Sequence, residues 1–62
     1  MWVKLLRVQH KVTAEMWKEF FDGEQVGALV LPENDEDHGP GYAIYVPQAK
    51  IHVAEEVLRK QQ

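Results

Sequence analysis

Residues 27–46, GALVLPENDEDHGPGYAIYV, constrain this chain more than any other stretch. Two short apolar runs flank an acidic segment that closes on Gly39-Pro40-Gly41. Runs this short, bounded by proline and glycine, read as the strands of a hairpin and not as helix. Residues 28–31 are predicted as one strand, stopped by Pro32, and residues 42–46 as its partner. Between them Glu33, Asp35, Glu36 and Asp37 place four carboxylates within five residues. That density of like charge predicts a solvated loop that discourages mispairing of the strands.

A helix is predicted on each side of the hairpin. Over residues 13–22, Ala14, Trp17, Phe20 and Phe21 fall on one stripe at about 100° per residue, with Met16 at its border. Thr13 is the expected N-cap, and Gly23 the expected residue of left-handed conformation after the last turn. Over residues 48–60, Ile51, Ala54, Val57 and Leu58 form the same kind of stripe, with Val53 at the border and Pro47 at the first position. Ahead of the first helix, WVKLLRV at residues 2–8 is rich in β-formers and is predicted as a strand. Simple alternation puts Trp2, Lys4, Leu6 and Val8 on one side of it and Val3, Leu5 and Arg7 on the other.

The predicted order is β-α-β-β-α. A right-handed crossover makes the first two strands parallel, and the third fits between them, antiparallel to both. The expected fold is α+β: a ferredoxin-like two-layer sandwich lacking its last strand, with two helices on one face of a three-stranded sheet. At 62 residues the chain is a single domain, residues 1–62. It has no cysteine for a disulfide or a thiolate metal site, so its core or a second chain must hold it together.

This topology leaves one sheet face and one sheet edge uncovered, which predicts a homodimer formed through the sheet. Trp2, Lys4, Leu6, Tyr42 and Ile44 are the candidate interface with a second copy or another protein. Glu33, Asp35, Asp37 and His38 are the candidate loop contacts. The acidic segment departs from a calcium loop: counted from Asp35, the sixth position is Pro40 and the twelfth Val46, where glycine and a bidentate glutamate are needed. His10, His38 and His52 have no metal-ligand spacing, and no nucleophile triad, phosphate loop or metalloprotease motif is present. The expectation is a non-enzymatic chain with no cofactor and no resident metal. With a net charge of -3 and scattered lysines and arginines, it is not expected to bind nucleic acid. No apolar run approaches membrane-spanning length, so a cytoplasmic location is expected.

Two stretches, AEMWKEFFDGEQVGALVL and YAIYVPQAKIHVAEEVLRK, resemble a small bacterial family of prokaryotic signal-transducing proteins whose fold is PII-like and ferredoxin-like. The resemblance covers nearly the whole chain. It rests on an acidic-aliphatic helix leading into a second strand and, before a closing helix, on a strand that ends in Val-x-Val in the family and reads YAIYV here. Gln25 stands where the family tends to have glycine, and Gly27 where it tends to have proline. The resemblance implies a small regulatory domain that binds a protein partner or, at a dimer junction, a small effector. The alternative function is a sensor of divalent metal or small molecules that uses the acidic segment 33–37.

Overall fold

The computed structural model of the chain describes residues 1–61. Its elements are β1 (Trp2–Val8), α1 (Lys11–Gly23), β2 (Leu29–Asp35), β3 (Gly39–Pro47), a 3₁₀ turn (Gln48–Lys50) and α2 (Ile51–Lys60). The sheet order is β1-β3-β2, with β3 antiparallel to both neighbours. This is the expected α+β ferredoxin-like sandwich without a fourth strand, and β1 is an edge where that strand would pair. Both helices pack on one face of the sheet. Ala14 and Phe21 of α1, Ala54 and Val57 of α2, and Ile44 and Val46 of β3 form one buried cluster, closed by Val26. Trp17 stands half-buried at its side, edge-on to Phe20 at 5.8 Å and stacked on Phe21 at 6.0 Å.

The ends of α1 differ from the sequence expectation, and the backbone gives the reason. The helix starts two residues before Thr13, with His10 at the N-cap and making no side-chain capping bond. The Ala14 N–H bonds the His10 carbonyl at 3.1 Å and closes the first turn without help from Thr13. At the other end Gly23 is still helical, and the left-handed residue is Gln25, at φ 62°. The Val26 N–H donates to the Phe21 carbonyl at 2.8 Å and the Gln25 N–H to the Asp22 carbonyl at 3.0 Å. Those two bonds are a Schellman cap, and the burial of Val26 and Phe21 supplies its apolar contact. The closing helix also starts differently. Pro47 ends β3 opposite Trp2, a 3₁₀ turn follows, and regular helix begins only at Ile51.

The hairpin is longer than its composition suggests. Pairing runs from Leu29 opposite Tyr45 to Asp35 opposite Gly39, so Pro32, Glu33 and Asp35 are strand residues and the connection is only residues 36–38. Neither proline breaks the ladder. Pro32 lies on an edge strand, and Pro40 lies beyond Tyr42, the last β3 residue that β1 reaches. The turn is made by Gly39 at φ +74° and by Asp35, whose Oδ1 accepts the Asp37 N–H at 2.7 Å and the His38 N–H at 3.3 Å.

One residue in β1 decides which side chains share a face. Lys4 pairs with Tyr45 but Leu6 pairs with Ile44, so Leu5 is an extra residue, a β-bulge. The bulge lets Leu5 and Leu6, adjacent in sequence, both pack on the core. It also reverses the alternation beyond it. Leu6 and Val8 turn toward the helices, and Arg7 joins Trp2 and Lys4 on the open face. The expected grouping of Leu6, Tyr42 and Ile44 with Trp2 and Lys4 is therefore corrected. Ile44 is fully buried, and Leu6 and Tyr42 pack against its cluster.

Candidate interaction face and its ion network

The uncovered face of the sheet follows from the register. β1 contributes Trp2, Lys4 and Arg7; β3 contributes Gly41, Ala43, Tyr45 and Pro47; β2 contributes Leu29, Leu31, Glu33 and Asp35. The face has two halves. Around Tyr45 the apolar side chains stay open to water: Trp2 is 51% exposed, Leu31 42% and Leu29 37%. Toward the hairpin turn, charged groups take over.

The charged half is an ordered network. The Lys4 Nζ lies 2.8 Å from Glu33 Oε2 and 3.0 Å from Oε1. The Arg7 Nε donates to Glu33 Oε1 at 3.1 Å, and its Nη2 donates to the Gly39 carbonyl at 2.7 Å. Glu33 thus joins the two edge strands across β3. The central strand makes this possible by having no side chain at Gly41. A Cβ there would sit 2.6 Å from Arg7 Nη2, 2.7 Å from its guanidinium carbon and 2.9 Å from the Val8 carbonyl oxygen. The guanidinium therefore lies flat over Gly41. The Lys4 hydrogen bond is the largest influence holding the Glu33 carboxyl below its ordinary value, and the charges of Lys4 and Arg7 act in the same direction. Asp35 is likewise lowered, first by the backbone N–H of Asp37 and then by His38.

The structure separates the sequence-predicted residues. Trp2 and Lys4 are on the open face, while Leu6, Tyr42 and Ile44 belong to the covered one. Glu33 and Asp35, expected in a solvated loop, are strand residues whose carboxylates are engaged by Lys4, Arg7 and turn amides. Asp37 and His38 are exposed in the turn, with His38 Nδ1 3.4 Å from Asp35 Oδ1. Among the described residues, no three His, Asp or Glu side chains are grouped so as to hold a metal ion. Arg7, Leu29, Leu31, Gly41 and Tyr45 were not singled out as site residues by the sequence. The signal that could have found them is the pair Leu5-Leu6: two adjacent leucines inside a strand ask for a bulge if both are to be buried.

A cleft of about 440 Å³ opens at the end of the sheet, between the β1–α1 turn and the facing parts of β2 and β3, with His10, Lys11, Asn34 and Tyr42 in its walls. Its strand walls at Pro32, Asn34, Pro40 and Tyr42 belong to the helix-covered side of the sheet, and neither Lys4 nor Arg7 lines it. Among the described residues no helix is long and apolar enough to cross a membrane. Compared with protein-family models, with curated proteins and with solved structures, the chain matches none.

Proposed function

We propose that this chain is a small regulatory interaction domain, of the signal-transducing kind its sequence resembles, and that it works as a cytoplasmic homodimer joined through the open face of its sheet. The observation that supports this is the set Trp2, Leu29 and Leu31, each more than one-third exposed, grouped around Tyr45 on the one face that no helix covers. Apolar side chains gathered on one face are a patch that a partner removes from water, unlike the same residues scattered singly. Large aromatic and aliphatic anchors are also what carries binding energy in interfaces.

Size sets the expected strength. Three strands about 4.8 Å apart and seven residues long span roughly 14 by 23 Å. At roughly 320 Å², that footprint is well under half of the about 800 Å² per partner that stable interfaces remove, so the dimer is a weak one. For a chain with 4453 Å² of surface, a standard interface would take nearly a fifth of the molecule. Association in the micromolar range is therefore expected. Light scattering at tens of micromolar should return twice the 7.2 kDa chain mass, and Leu31→Lys should return a folded monomer. A wild-type mass of 7.2 kDa under those conditions refutes the dimer.

A further inference from the structure

The open face has a charge balance that the rest of the chain lacks. Lys4 and Arg7 contribute two positive charges, Glu33 and Asp35 two negative ones, so the face sums to zero. The whole chain carries -3, so the excess acid is borne elsewhere, on the helices and the turn. In a two-fold dimer the partner's face has the same charge, so any net charge on the face repels its own copy. A neutral face with an apolar half is what a second copy requires.

We infer that Glu33 is the residue that lets this face accept a second copy of itself, by pairing with Lys4 and Arg7 so that, with Asp35 also on the face, the two cations meet the partner in balance and not as a net positive charge. This rests on the dimer proposed above. Glu33 can do so because both of its oxygens are used: Oε2 by Lys4, Oε1 by Lys4 and Arg7. The site is built around it. The bulge at Leu5 brings Arg7 to this face, and the absence of a side chain at Gly41 lets the guanidinium reach across the central strand. A desolvated but paired charge is tolerated in an interface, whereas one left without its partner is strongly unfavourable. The network lies beside Leu31 and Tyr45, so docking of the apolar halves carries it into the interface.

The test measures the dimer dissociation constant by sedimentation equilibrium on wild type, Glu33→Gln, Lys4→Gln and the double variant, at low salt. Circular dichroism confirms in each case that the monomer is folded. Glu33→Gln leaves +1 on each face and Lys4→Gln leaves -1. Each is expected to weaken the dimer by roughly tenfold or more, the loss charged-pair truncations give at interfaces. The double variant returns the face to zero and should bind within about threefold of wild type, since the charge balance is restored. Raising the salt to about 1 M, where screening acts over about 3 Å, should recover part of the loss in each single variant relative to wild type at the same salt. A folded Glu33→Gln that dimerises like wild type overturns the inference and leaves the dimer standing. So does a double variant no better than the singles. A monomeric wild type overturns both.

Discussion

The end of α1 offers the sharpest test of the structure against its own sequence, because two neighbouring residues exchange roles. Sequence patterning puts the left-handed residue at Gly23. The structure puts it at Gln25, with φ 62°, and keeps Gly23 helical. A left-handed conformation costs a residue with a Cβ about 1–2 kcal/mol relative to glycine. Replacing Gln25 by glycine removes that strain and loses no buried contact, because the side chain is exposed. The two cap bonds, from the Val26 and Gln25 N–H groups, are backbone bonds and survive. Against this gain, glycine adds about 0.5–1 kcal/mol of chain entropy to the unfolded state. The net expectation for Gln25→Gly is stabilisation by about 0.5–1 kcal/mol, or roughly 2–8 °C in a domain of this size. Gly23→Ala should also stabilise, by about 0.5–1 kcal/mol, since a Cβ there meets nothing within 4 Å and alanine is the better helix former. Both are read by thermal and urea unfolding followed by circular dichroism. The two placements of the cap give opposite signs at Gly23: alanine at a left-handed position destabilises. A loss of stability in Gly23→Ala, with no gain in Gln25→Gly, would refute the cap described here.

Two further outcomes follow from the open face. Gly41→Ala should destabilise by about 1–3 kcal/mol, the usual cost of overpacking, because its Cβ would meet the Arg7 guanidinium and the Val8 carbonyl. In an Arg7→Ala background the same change should cost distinctly less, leaving only the backbone contact, and a strictly additive double-mutant cycle in urea denaturation would sink the packing of Arg7 over Gly41. Stability should also fall in acid. Glu33 and Asp35 both have carboxyl groups held below their ordinary values of 4.5 and 3.8. Such groups contribute stability that is fully present above those values and is lost as pH falls through the lowered ones. The urea midpoint of the monomer should therefore be level down to about pH 5 and decline below it, with a shallower decline in Glu33→Gln and Asp35→Asn; equal slopes in wild type and both variants would contradict the assignment.

Much of the fold was legible because it rests on periodicity. The stripes at Ala14, Trp17, Phe20 and Phe21 and at Ile51, Ala54, Val57 and Leu58 face the core, and the three strand positions are those the β-rich runs mark. What was not legible depends on compensation between distant residues. Glu33 reads as loop in sequence because it follows Pro32 and opens a run of four carboxylates in five residues. It becomes strand through Lys4 and Arg7, which are 29 and 26 residues away. Pro32 reads as a stop because its missing N–H removes a ladder bond, yet the strand order puts β2 at an edge, where proline is tolerated.

The bulge at Leu5 ties these misreadings together. Without it, strict alternation would put Arg7 under the helices, an arginine in a core whose buried residues are all apolar. It would also turn one of two adjacent leucines to water. Inserting one residue costs a local break in the β1–β3 ladder and resolves both conflicts, since Leu5 and Leu6 reach the core and Arg7 leaves it. A bulge on an edge strand also hinders that strand from pairing with a neighbouring chain, and Pro32 does the same on the other edge. With both edges obstructed, the proposed dimer would form through the open sheet face. On that face the bulge has already set Arg7 beside Lys4 and Glu33, so one extra residue in β1 governs both how the chain packs its core and which charges its free surface carries.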